Sequence, residues 1–251
     1  SNSLNGGSGI DTVYYGGSTA ISADLSGAVD TVQHGAATDT LTGIENLVGS
    51  ALNDTLTGDG NDNVIEGGLG DDTLAGGAGI DTASYAGASA GVTVSLGGQG
   101  AAQNTGGAGS DTLSGFENLQ GSAFNDSLSG DANANTISGG TGNDTLNPGA
   151  NGAGLVDLLE GGDGSDTASF AGLGPVIATL NGASDGTAAI GGETVATLRN
   201  IENLRGSPGA DTLTGDANAN TIDGGAGDDT LTGGDGIDTV SFASNGNVGI
   251  T

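Results

Sequence analysis

The 251-residue chain contains no cysteine, methionine, tryptophan or lysine, and aromatic residues make up only 3% of it. Each absence excludes something. Without cysteine there is neither a disulfide framework nor a thiolate metal site. No run of 18 apolar residues occurs, so no helix of that kind spans a bilayer and no membrane insertion is expected. Ser1-Asn2-Ser3-Leu4 is not a signal peptide, and no internal segment resembles one. Positive charge is confined to Arg199 and Arg205, against 31 acidic residues and a formal net charge of −29. Nucleic acid and anionic membranes, which are held by clustered basic side chains, are excluded as partners. There is no G-x-S-x-G elbow, P-loop or H-E-x-x-H pattern. The single imidazole, His34, has no catalytic partner in the sequence and reads as a surface residue. The chain is expected not to be an enzyme.

What the chain has in quantity is glycine, 54 residues, and aspartate. Such a composition describes either an acidic disordered tail or a poor core that folds around an external cation. Internal periodicity decides between them. Aligned on Asp followed by Thr or Ser and an apolar residue, the sequence resolves into nine-residue units. One run is GSALNDTLT (49–57), GDGNDNVIE (58–66), GGLGDDTLA (67–75) and GGAGIDTAS (76–84). A second is GSAFNDSLS (121–129), GDANANTIS (130–138), GGTGNDTLN (139–147), GAGLVDLLE (152–160) and GGDGSDTAS (161–169). A third is GSPGADTLT (206–214), GDANANTID (215–223), GGAGDDTLT (224–232) and GGDGIDTVS (233–241), and isolated units lie at 6–14 and 106–114.

A longer period encloses the short one. The sixth-position residue recurs at Asp11, Asp39, Asp54, Asp81, Asp111, Asp126, Asp166, Ala196, Asp211 and Asp238. The array therefore reads as one continuous solenoid over 1–251, a piece of a larger protein, with supra-repeats at about 1–42 (partial), 43–114, 115–199 and 200–251 (partial). The third of these carries a four-residue insert, Pro148-Gly149-Ala150-Asn151.

Each unit divides into a glycine-rich turn and a short alternating strand. Glycine at positions 1, 2 and 4 is expected to supply positive φ and close backbone approach. Position 8 is the inward one: Val13, Leu56, Ile65, Leu74, Leu113, Leu128, Ile137, Leu146, Leu159, Leu213, Ile222, Leu231 and Val240. One apolar residue in nine gives a core a single layer thick, stable only when units stack. After each run comes an aromatic residue, Tyr15, Tyr85, Phe170 or Phe242, expected as interior fill where position 8 shrinks to Ala83 or Ala168. The segments that follow, Ile21-Ala23-Leu25, Val92-Val94-Leu96, Val176-Ala178-Leu180 and Val248-Ile250, read as wider coils of the same helix. A recurring I/F-E-N-L element brings in Glu45, Glu117 and Glu202, for which the pattern offers a structural contact and no more.

Packing gives no reason to stack aspartates in rows. Coils stack about 4.8 Å apart, and like charges at that spacing oppose folding unless a cation lies between them. Oxygen-only donors select a hard cation, and flexible multidentate turns favour Ca²⁺ over Mg²⁺; the lack of cysteine and the single histidine disfavour transition metals.

GGAGDDTLT, GGTGNDTLN and GGAGIDTAS resemble the GGxGxDxUx nonapeptide of the repeats-in-toxin (RTX, hemolysin-type) family, a known Ca²⁺-binding β-helix repeat. The resemblance implies an all-β fold, a right-handed parallel β-roll or β-helix solenoid with two units per coil and Ca²⁺-filled turns. Carried over by position, the implied ligand pairs are Asp54 with Asp72, Asn63 with Asp81, Asp126 with Asp144, Asn135 with Asp157, Asp144 with Asp166, Asp211 with Asp229, and Asn220 with Asp238. Asp11 and Asp111 occupy the same position in the isolated units. Seven pairs imply about seven Ca²⁺ and about half the formal charge neutralised. Asn63, Asn135 and Asn220 offer a neutral oxygen only, so weaker sites are expected there. The insert sets Asn135/Asp157 and Asp144/Asp166 out of the regular spacing, and Ala196 removes a carboxylate altogether.

The family also implies export by a bacterial type I secretion apparatus. The expectation is a calcium-folded, non-catalytic module of a secreted protein, extracellular or at the cell surface. The alternative is an S-layer or adhesin segment that self-associates or makes cell-surface contacts in a calcium-dependent way.

Overall fold

In the computed structural model, residues 1–27, 29–182 and 184–241 are described. Phe242 and the Val248-Ile250 segment lie outside the described residues. The chain forms two compact units, Ser1–Ala123 and Phe124–Thr251. Among the described residues both are all-β, and the one helical element is a single 3₁₀ turn at Leu96–Gly98.

In the first unit the short strands of the nonapeptides at 49–57 and 58–66 pair in parallel with the strands two units later. Thr55 lies opposite Thr73 and Leu56 opposite Leu74, while Ala83 lies opposite Ile65 on the other sheet. The offset of 18 residues is two nonapeptides per coil. The second unit repeats it: Leu213 faces Leu231 and Ile222 faces Val240. Where the insert falls, the offset becomes 22, with Ile137 opposite Leu159 and Leu146 opposite Ala168. The four added residues are thus absorbed in the turn, and register on both sides is kept.

Three-residue strands such as Thr73–Ala75 expose Thr, bury the central residue and half-bury the third, as the period-two alternation of a pleated strand demands. The core is accordingly a column of position-8 side chains. Leu56, Ile65, Leu74, Leu113, Ile137, Leu146, Leu159 and Leu213 are fully buried. The exceptions fall in the last described coil, where Leu231 is half-buried and Val240 is 49% exposed. Tyr85 and Phe170, two residues after the buried Ala83 and Ala168, are themselves buried. Tyr15 is only half-buried.

Two of the segments expected to be wider coils, Ile21-Ala23-Leu25 and Val176-Ala178-Leu180, are built differently. Ile21–Asp24 pairs antiparallel with Asp30–His34, which pairs antiparallel with Ala37–Thr42. Ala102–Gly106 turns back on Gly109–Ser114. Val176–Thr179, Gly186–Ile190 and Glu193–Arg199 form a three-strand meander. Each is an antiparallel excursion whose first strand, last strand or both rejoin the parallel ladder: Ala23 pairs with Leu56 and Ala178 with Leu213. The buried alternation of these segments is the same as that of a wider coil, which is why hydrophobic pattern alone does not distinguish the two. Arg199 fastens the last meander through a bidentate contact with Asp185 at 2.9 Å.

Candidate metal centre

The turn that precedes each strand is set by its glycines. Gly68 and Gly70 adopt φ of 100° and 122°, a region that a Cβ disfavours. Gly67 is not among the residues at positive φ, which corrects the expectation for position 1. Its lack of a side chain serves another purpose: a Cβ there would collide with the Asp72 carboxylate. Position 1 is glycine because the sixth-position side chain folds back over it.

The structure places all seven sixth-position pairs on neighbouring coils, joined by one repeated bond. The N–H of the earlier residue donates to Oδ1 of the later: Asp54 to Asp72 at 2.7 Å, Asn63 to Asp81 at 2.8 Å and Asp126 to Asp144 at 2.8 Å. The same bond joins Asn135 to Asp157 at 2.7 Å, Asp144 to Asp166 at 2.8 Å, Asp211 to Asp229 at 2.9 Å and Asn220 to Asp238 at 3.0 Å. The insert therefore does not take Asn135/Asp157 and Asp144/Asp166 out of their row. Asp111 joins its row by accepting from the Asp72 N–H at 3.0 Å. Ala196 lies opposite Asp157 and brings no carboxylate.

The second oxygen distinguishes two kinds of turn. In units that begin Gly-Gly, Oδ2 of Asp72, Asp81, Asp144 and Asp166 is buried with no hydrogen-bond partner, as are Asp11 Oδ2 and Asp157 Oδ2. In units that begin Gly-Ser or Gly-Asp the turn closes on itself. Ser207 donates its N–H at 2.7 Å and its hydroxyl at 2.9 Å to Asp211, and Ser50 holds Asp54 in the same way. Asp59 donates its N–H to Asn63 Oδ1 at 2.8 Å, and the Asn63 amide donates back to Asp59 at 3.3 Å and to the Glu45 carbonyl at 2.7 Å. Asp216 and Asn220 repeat this closure, with Asn220 donating to the Glu202 carbonyl at 2.8 Å. The signal was present in the sequence, since G-D-x-N-x-N occurs three times with Asp at position 2 wherever Asn stands at position 6.

A further row was missed. At position 5 a side-chain oxygen accepts the N–H of the next coil's position 5: Asn53 from Asp71 at 3.0 Å, Asp62 from Ile80 at 2.8 Å, and Asn143 from Ser165 at 3.0 Å. His34 keeps a partly exposed position and has a partner there. Its Nε2 lies 2.9 Å from Oδ2 of the buried Asp39, whose Oδ1 accepts the Asn2 N–H at 2.6 Å.

An unpaired buried carboxylate is costly, and the acidities register it. Burial pushes Asp72 up to about 7, against a backbone N–H from Asp54 that pulls it down, with the Asp111 and Asp54 charges adding to the rise. Burial likewise raises Asp81, Asp144, Asp157 and Asp166 to about 6. These groups fit a cation: buried, unpartnered oxygens, held over glycines beside main-chain carbonyls. A Cβ on Gly139, for example, would meet both the Gly161 carbonyl and the Asp144 carboxylate. Among the described residues no three carboxylate or imidazole groups converge, so an ion here would draw on at most two carboxylates, with main-chain carbonyls beside them. That all-oxygen, adaptable donor set suits Ca²⁺.

Parallel coils of glycine turns carrying buried carboxylate rows define a β-roll calcium-binding repeat. The family model of the RTX calcium-binding nonapeptide repeat matches residues 48–83, 114–146 and 205–240. Those three segments match RTX calcium-binding nonapeptide repeats, and RTX repeats bind Ca²⁺. No curated protein matches it. Among the described residues no helix is long and apolar enough to cross a membrane.

Proposed function

We propose that this chain is a non-catalytic module that calcium folds, part of an exported bacterial protein working outside the cell or at its surface. The observation that carries this reading is the set of buried carboxylate oxygens without a partner on Asp72, Asp81, Asp144, Asp157 and Asp166. Ca²⁺ sits at the seven sixth-position pairs, about seven ions in all. Asp11, Asp54, Asp111, Asp126, Asp211, Asp229 and Asp238 also serve as ligands, and Asn63, Asn135 and Asn220 hold calcium more weakly. Two features support the weaker ranking: the neutral oxygen, and the bonds that already engage the Asn63 and Asn220 amides.

The same physics serves export. Where calcium is scarce, repulsion among the rows keeps the chain extended enough to pass a type I secretion apparatus. At extracellular calcium levels, with site affinities on the order of 10⁻⁴–10⁻³ M, the coils close.

Far-UV circular dichroism and sedimentation velocity, titrating Ca²⁺ from chelator upward with Mg²⁺ as control, test the reading. A cooperative gain of β signal with a fall in radius, specific to calcium, is the expected result. A chain equally compact in chelator overturns it. Sedimentation in the same samples separates a monomeric spacer from a module that self-associates with calcium, as an S-layer or adhesin segment does.

A further inference from the structure

The I/F-E-N-L element recurs three times, and its glutamate occupies the same place each time. Glu45 Oε2 accepts the Asp11 N–H, Glu117 Oε2 the Asp81 N–H and Glu202 Oε2 the Asp166 N–H, each at 2.8 Å. This is the bond that sixth-position aspartates make along their rows. The backbone around it repeats as well. The Asp11 carbonyl accepts from the Glu45 and Asn46 N–H groups at 3.1 and 3.0 Å, the Asp81 carbonyl from Glu117 and Asn118, and the Asp166 carbonyl from Glu202 and Asn203. The glutamate is therefore a sixth-position residue carried on a longer side chain. The nonapeptide alignment, which is keyed to Asp, passes over it.

Three further observations point to an ion at this place. Oδ2 of Asp11, Asp81 and Asp166 has no partner, and Asp81 and Asp166 are fully buried. The residue before the element is turned into the left-handed region in every copy: Gly43 at φ 58°, Gly115 at 65° and Asn200 at 49°, the last being the one non-glycine at positive φ among the described residues. That turn aims a carbonyl at the same spot. A Cβ on Gly6 would meet the Gly43 carbonyl and Asp11, one on Gly76 the Gly115 carbonyl and Asp81, and one on Gly161 the Asn200 carbonyl and Asp166. An aspartate and a carbonyl thus gather over a glycine that leaves them room, with the glutamate carboxylate on the same aspartate's N–H. Retaining a left-handed Asn, a conformation that usually costs energy, is explained if its carbonyl has a ligand.

We propose that Glu45 with Asp11, Glu117 with Asp81 and Glu202 with Asp166 form three Ca²⁺ sites additional to the seven sixth-position pairs. Each supplies two formal negative charges and main-chain oxygen, a donor set stronger in charge than that of the Asn-containing pairs. The glutamates then mark where the parallel ladder resumes after each antiparallel excursion, and calcium pins that junction.

The inference rests on the reading of these repeats as calcium binders, and the test separates the two. Bound Ca²⁺ per full-length chain is measured by equilibrium dialysis for the parent and for the triple variant Glu45→Gln, Glu117→Gln, Glu202→Gln. Gln keeps the acceptor for the backbone N–H and removes the charge. The expected result is three fewer ions per chain with the β signal in saturating calcium retained. If the triple variant does not fold, the single variants decide, each losing one ion. An unchanged ion count in folded variants overturns the three sites while leaving the calcium module standing. A parent chain that binds no calcium overturns the module itself.

Discussion

At the scale of single residues, charge and space are set against each other in one short turn. Asp72 is held over Gly67, with one oxygen taken by the Asp54 N–H and the other unpartnered. Replacing the charge and filling the space should therefore have opposite signatures. Asp72→Asn removes a buried charge whose acidity burial has already pushed up to about 7. It should stabilise the calcium-free fold while weakening calcium binding by about tenfold, or about 1.4 kcal/mol. Gly67→Ala keeps the charge and places a methyl against it. It should destabilise the calcium-loaded protein by about 1–3 kcal/mol, the usual cost of overpacking. Urea unfolding of each variant in chelator and in saturating calcium checks both signs; stabilisation of the chelated form by Gly67→Ala would refute the steric account. The aspartates and the inward leucines could be read from the nonapeptide because each repeats at a fixed position. The position-5 row and the Ser50 and Ser207 closures could not, since Asn, Asp and Ser at those places look like ordinary turn residues until their partner coil is known.

At the scale of the element, three-residue strands are stable only as members of a ladder, and each is anchored by one side chain. Leu146 is fully buried between Leu128 and Ala168. Leu146→Ala should cost about 2–5 kcal/mol in saturating calcium, the range for emptying a buried leucine site. In a quasi-one-dimensional array the loss should stay local. Hydrogen exchange should show lost protection around residues 127–169, with the Thr55–Ala75 coils unchanged; uniform loss over both units would contradict that locality. The insert makes a complementary case. Because Ile137 pairs with Leu159 across it in good register, deleting Pro148-Gly149-Ala150-Asn151 should leave the number of bound calcium ions unchanged in the same dialysis measurement. The element scale is also where hydrophobic pattern misleads most. Ile21, Ala23 and Leu25 alternate and are buried as a coil strand would be, yet the chain reverses after them. Strand direction depends on pairing partners, and a period-two pattern is the same in either direction.

At the scale of the whole molecule, the net charge of −29 and the buried carboxylates together fix the direction of the pH response without calcium. Unfolded aspartates titrate near 3.9, whereas in the fold Asp72 is raised to about 7 and Asp81, Asp144, Asp157 and Asp166 to about 6. Between those values the folded chain holds protons that the unfolded chain has released, so stability rises as pH falls. The penalty is complete above about pH 7 and is relieved progressively as pH drops toward 4. Chelated protein should therefore be more compact, with stronger β signal, at pH 5 than at pH 8. Calcium competes with these protons for the same oxygens, so the midpoint of calcium-induced folding should move to higher concentration as pH falls from 7.5 to 5.5. General charge repulsion also weakens in acid, but it is screened by salt, with a Debye length of about 3 Å at 1 M. Buried groups are screened far less. Sodium chloride at pH 8 should thus reproduce only part of the compaction, and Asp72→Asn should show a shallower pH response than the parent chain. A chelated chain that expands between pH 8 and pH 5, or full compaction by salt alone, would locate the repulsion on the exposed acidic surface instead of in the buried rows.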